Sequence, residues 1–156
     1  MRGSQKIQIK SEHEMSAFGA MLAAALGPGS TVLLSGPIGA GKTHLARSMI
    51  QSLLPFAEDV PSPTYTLVQT YHTNTTDIWH ADLYRLADSS ELVELGLDEA
   101  FSTAIVIVEW PDRLPNEMVP RSAISIEIRP MGGIRYLTIS GPEGPIDDVV
   151  KAHANA

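Results

Sequence analysis

The run Leu33–Met49, LLSGPIGAGKTHLARSM, constrains this chain more than any other stretch. Gly36, Gly39 and Gly41 lie between an apolar run and a helical pattern, and Lys42 and Thr43 follow the last of them. The spacing satisfies G-x-x-x-x-G-K-[ST] in full, with a strand expected before it and a helix after it. Glycines let the main chain bend around an anion with its N–H groups pointing inward. The start of a helix adds a dipole that favours negative charge. Gly36, Pro37, Ile38, Gly39, Ala40, Gly41, Lys42, Thr43 and His44 are therefore expected to hold the phosphates of ATP. Lys42 is expected to reach the β- and γ-phosphates, and the Thr43 hydroxyl to ligate Mg²⁺. The loop leaves open what the hydrolysis serves.

The rest of the pattern supplies a fold for such a loop. KIQIK alternates as a short strand, and Ser11 with Glu14 reads as a capping box ahead of Met15, Phe18 and Leu22 on one helical face. TVLL and AIVIV are fully apolar strands, and the helix after the glycine loop is stopped by Pro55. YTLVQTYHT and TDIWHADLY read as strands joined near Asn74. A short helix opens around Asp88–Glu91 and closes at Gly96, and PMGG joins AISIEIR to IRYLTIS as a hairpin. The expectation is an α/β, P-loop NTPase-like three-layer domain with a mixed, mainly parallel sheet and added β-hairpins.

A length of 156 residues suggests one domain over residues 1–156. Met1–Ser4 are compatible with a vector remnant, and residues 145–156 read as a mobile tail. There is no cysteine, which excludes disulfides, thiolate metal sites and a cysteine nucleophile. The N-terminus has no apolar core of a signal peptide, and the apolar runs are too short to cross a bilayer, so no membrane partner is expected. A formal net charge of −7 suits a nucleic-acid backbone poorly, so any RNA should be held mainly by something else.

A P-loop enzyme needs an acid at the end of a neighbouring strand to hold its metal. Glu109, directly after AIVIV, stands there, and Thr43 and Glu109 are the expected metal contacts. Asp82 ends another strand-like run, on the same face as His80. Asp82 either polarises the attacking water or completes the metal shell, or else it pairs with Arg85 to shape a turn; the residues leave both open. His80 reads as structural rather than as a ligand. PSPTYT, stiffened by Pro61 and Pro63, supplies the hydroxyls of Ser62, Thr64 and Thr66 in a position where switch loops reach a γ-phosphate. Trp110 is either a core residue or a platform for a base or a partner.

In this order, the glycine loop, SPTYT, HADLYR and VEW resemble the TsaE (YjeE) family over Leu33 to about Arg113. The resemblance implies a bacterial, cytoplasmic ATPase used in making N6-threonylcarbamoyladenosine in tRNA. It implies action on the TsaB and TsaD proteins, which reach the tRNA, rather than transfer of the carbamoyl group, with weak hydrolysis alone. Lys42, Thr43 and Glu109 keep their roles in the family pattern, and Asp82 matches the aspartate expected to matter for hydrolysis. Ser62, Pro63, Thr64, Tyr65 and Thr66 match a switch-like loop, and Trp110 the tryptophan after the glutamate. Arg135 matches a late arginine near the nucleotide, and Ser11 and Glu12 an adenine pocket. The chain departs from the family at Pro37, where aspartate is usual, and at His44, where threonine is common. Two rivals stand beside this reading: a P-loop small-molecule kinase and a non-catalytic nucleotide-dependent binding module.

Overall fold

The computed structural model describes residues 2–56, 58–63 and 66–156. Its strands are β1 (Arg2–Ile9), β2 (Thr31–Ser35), β3 (Val68–His72), β4 (Asp77–Asp82), β5 (Ile105–Glu109), β6 (Ile124–Met131) and β7 (Ile134–Pro142). Its α-helices are α1 (Glu12–Ala24), α2 (Lys42–Leu53), α3 (Ser90–Leu95), α4 (Leu97–Thr103) and α5 (Glu143–Ala154). The strands form one sheet in the order β1-β7-β6-β2-β5-β4-β3.

The apolar strands β2 and β5 sit at the centre, as their lack of a polar face requires. Pairing is parallel from β6 through β2 and β5 to β4. It is antiparallel in β1·β7, β6·β7 and β3·β4. The expectation of a mainly parallel sheet is thus corrected: half of the six neighbour pairings are antiparallel. The cause is local at both flanks. Gly132 and Gly133 take φ of 60° and 82°, the left-handed pair that closes a two-residue hairpin. On the other flank Thr73 Oγ1 accepts from the amides of Thr75 and Thr76 and tightens the turn between β3 and β4. β3 begins later than its sequence pattern suggests, after Leu67 at φ 65°.

Strand alternation divides the core between two faces. Val32, Leu34, Ile78, Ile105, Ile107 and Ile126 pack with Phe18 and Leu22 of α1 and Leu45, Met49 and Ile50 of α2. Leu33, Ala81, Val106 and Val108 pack with Leu92 of α3 and Leu97, Ala100 and Phe101 of α4. α1 begins where the capping residues stand: Ser11 Oγ accepts from the Glu14 amide at 3.0 Å. The Glu14 carboxylate accepts from the Lys10 amide at 3.2 Å. Gly96, at φ 87°, ends α3 and at once starts α4, a second helix beyond the expected stop.

Two terminal segments fold into the body. Arg2, Gly3 and Ser4 pair with Pro142, Gly141 and Ser140. Residues 145–154, expected as part of a mobile tail, lie in α5, which buries Ile146 and Val149 against the α1 face of the sheet. These side chains recur at helical spacing, which is the signal for a packed helix. Ile146→Ala should lower stability by about 2–5 kcal/mol, read as a fall in the denaturant midpoint; a loose tail would show no change.

Candidate functional site

The parallel register brings three strand ends into one row. Leu34 of β2 and Asp82 of β4 both stand opposite Glu109 of β5. Alternation puts Ile78, His80 and Asp82 on the same face as Ile105, Ile107 and Glu109, and α2 covers that face. The glycine loop leaves β2 there and turns into α2 at Gly41, which sits at φ 110° and has no side chain to cap the first helical amides. Those amides are the donors an anion can use. Gly36 is held as tightly: a Cβ there would lie 2.5 Å from the Ile128 carbonyl oxygen.

Lys42 is 5% exposed, and its Nζ donates to the carbonyls of Gly36 at 2.6 Å and Pro37 at 2.8 Å. The ammonium lies 4.2 Å from the centroid of the Trp110 ring, within cation–π range. Trp110 holds φ 60°, an outlier for a bulky residue that costs about 1–3 kcal/mol. Its ring meets that of Tyr84 at 4.9 Å. Burial lowers the Lys42 pKa, while Glu109 and Asp82 pull the other way.

Glu109 is 1% exposed. Its Oε1 accepts from the Thr43 hydroxyl at 2.7 Å and its Oε2 from His80 Nε2 at 2.7 Å. Both contacts are as short as charge-assisted bonds should be. His80 thus contacts the strand-end acid. Asp82 Oδ1 accepts from the Tyr84 amide at 3.0 Å, which shapes the turn after β4. Burial raises the Asp82 pKa and Glu109 adds to the rise, against the Tyr84 amide, His80 and Lys42.

A cavity of about 660 Å³ gathers these groups. Ile38, Gly39, Gly41, Lys42, Thr43, His44, Ser62, Asp82, Glu109, Trp110 and Arg135 line it, with Ser11 and Glu12 at the α1 end. Gly36, Pro37 and Ala40 support the loop through their backbone: Ala40 O accepts from Arg135 Nε at 2.7 Å. His44 Nε2 lies 3.0 Å from Ser16 Oγ and 3.2 Å from Glu12 O, joining α2 to α1. Thr66 stands apart from the cavity lining and accepts from Gln69 at 3.1 Å. Thr64 and Tyr65 lie outside the described residues. Ile9, Met15, Tyr84, Arg85 and Gly133 also line the cavity. Ile9 and Met15 read as ordinary core positions in sequence, and nothing local to them points to a ligand.

The donor set suits a nucleotide phosphate with a magnesium ion. Backbone amides and a lysine are donors suited to anionic oxygens, while the Thr43 hydroxyl and the Glu109 carboxylate are the hard oxygen donors that cation prefers.

The fold and this site define an α/β protein with a glycine-loop cavity at the carboxyl edge of a mixed, partly parallel sheet. Its family follows from comparison with known proteins. The family model described as threonylcarbamoyl adenosine biosynthesis protein TsaE matches residues 9–135, and the chain belongs to that family. It is 38% identical over 129 residues to the tRNA threonylcarbamoyladenosine biosynthesis protein TsaE of Rickettsia bellii, covering 83% of this chain and 88% of the relative. It is 35% identical over 125 residues to the protein of that name from Haemophilus influenzae, covering 80% and 78%. The crystal structure of Bacillus subtilis YdiB superposes with a TM-score of 0.77 at 25% identity, over 99% of this chain and 97% of that one. Among the described residues no helix is long and apolar enough to cross a membrane.

Gly36→Ala, strained at its φ of 145° and blocked by Ile128, should lower stability by about 1–3 kcal/mol; chemical denaturation reads the loss. Asp82 generates a second expectation. A carboxyl whose folded pKa lies above its unfolded value binds its proton more tightly when folded. The stability it contributes is therefore full below the unfolded value and is lost as pH rises through the folded one. Asp82→Asn keeps an acceptor for the Tyr84 amide and removes the ionisation. Its Tm relative to the parent should rise as the pH is raised above the ordinary aspartate value of about 4, measured by thermal melts.

Proposed function

We propose that this chain is a Mg²⁺-dependent ATPase of the P-loop type that serves the N6-threonylcarbamoyladenosine modification of tRNA. It acts on the TsaB–TsaD complex in the cytoplasm and leaves the carbamoyl transfer to that complex. Membership of the TsaE family supports the pathway. The observation that carries the nucleotide reading is the bond between Thr43 at the start of α2 and Glu109 at the end of β5, beside the Lys42 ammonium. The net charge of −7 supports a division of labour in which partners hold the RNA.

In this reading the amides of Gly39 to Thr43 and the Lys42 ammonium bind the phosphate oxygens, Lys42 exchanging its two loop carbonyls for them. Thr43 and Glu109 hold the magnesium, which when bound neutralises charge on the phosphates. Asp82 orients the attacking water and accepts hydrogen bonds from it at its carboxylate. Burial moves its pKa towards the working pH, which improves a proton acceptor. Ser11 and Glu12 bound the adenine end of the cavity, with Arg135 bracing the loop. Docking on the partner sets the position of Ser62, which lines the cavity together with Trp110 and Tyr84.

Phosphate release measured with and without TsaB, TsaD and tRNA tests this. The protein alone should turn over slowly, and the rate should rise with the complex. Asp82→Ala should lower the stimulated rate by at least about 100-fold. An unchanged rate in Asp82→Ala would favour a nucleotide-dependent binding module, and labelled phosphate on a small acceptor would favour a kinase. Calorimetry showing no heat for ATP or ADP with magnesium, with or without the partners, would end the reading altogether.

A further inference from the structure

Glu109 is held from two sides, and only the Thr43 side belongs to the glycine loop. The other side is His80, fully buried on β4. An ionised carboxylate can only accept, so Nε2 carries the proton in this bond. The second ring nitrogen, Nδ1, is buried and has no hydrogen-bond partner among the described residues. A buried polar atom left unpaired costs stability that an apolar side chain of similar volume would not. The neighbouring inward positions Ile78, Ile105 and Ile107 are all apolar. Among these apolar neighbours stands His80, which reaches Glu109 Oε2 at 2.7 Å.

We infer that His80 is a positioning residue for the magnesium site, holding Glu109 Oε2 so that Oε1 stays turned towards Thr43 and the metal. The inference rests on the nucleotide–magnesium reading above and extends it to a residue outside the cavity lining. Without the imidazole only the Thr43 hydroxyl holds the carboxylate, which must then be ordered further when the metal binds. Partners of this kind, which orient a metal-binding group, typically change metal affinity by about 10- to 100-fold. His80 therefore sets how much magnesium the site needs, and leaves the grip of the loop on the nucleotide itself unaltered.

Two substitutions separate this from a packing role. The glutamine amide nitrogen of His80→Gln reaches the position of Nε2, whereas the shorter asparagine of His80→Asn places its amide near Nδ1, out of reach of Glu109. Magnesium titrations of the full chain with a fluorescent ADP analogue read the midpoint for metal, and titrations in chelator read metal-free nucleotide binding. His80→Asn should raise the magnesium midpoint by about 10-fold or more with metal-free affinity unchanged, and His80→Gln should stay near the parent. The inference is overturned if the two variants share one midpoint, or if metal-free affinity falls together with metal affinity. No binding of the analogue by the parent at any magnesium concentration would instead overturn the nucleotide reading and carry this one down with it. Normal parent binding with equal variants removes the role of His80 alone.

Discussion

A single buried carboxylate ties the molecule together at its working edge. Glu109 is 1% exposed and carries its two short bonds to different elements, Thr43 at the start of α2 and His80 inside β4. A buried charge is tolerated only when its lone pairs are met. Meeting them demands that β2, β5 and β4 end in register, because the loop that delivers Thr43 leaves β2 while His80 comes from β4. A slip of one residue in β4 would turn His80 and Asp82 to the opposite face and set Trp79 and Ala81 in their place. The apolar packing around Ile78 and Ile107 holds that register at a distance from the chemistry.

The same edge carries the molecule's visible strain. Trp110 follows Glu109 directly and adopts a left-handed backbone, which turns its ring over Lys42 and against Tyr84. Asp82 and Lys42 are both buried ionisable groups with pKa values moved by that burial. The left-handed backbone and the buried charges cost stability locally, against the ring and cation–π contacts. The two apolar layers on either face of the sheet offset it, so rigid packing and a costly site sit on opposite ends of the same strands.

Much of the site was legible because its signals are short-range. The glycine spacing, Lys42, Thr43 and the acid closing an apolar strand each sit within a few residues of the structural element that presents them. The contribution of His80 was not legible, since a histidine on a strand declares no partner until the neighbouring strand is aligned with it. Ile9 and Met15 were hidden for the opposite reason: an apolar residue looks the same in sequence whether it faces a core or a cavity. The helical spacing of Ile146 and Val149 was present, but the surface it covers is assembled from distant parts of the chain. α4 was missed because Gly96 both stops one helix and starts the next.

By itself the sequence determined the strand–loop–helix unit, the cap of α1 and the two hairpins, all of which depend on local backbone geometry. Tertiary structure alone decided that β1 pairs antiparallel with β7, that α5 packs on the α1 face of the sheet, and that Thr43 and His80 share the Glu109 carboxylate. The physical reason is that strand order and register follow from which apolar faces can be buried together. That is a property of the whole chain, and no short segment carries it.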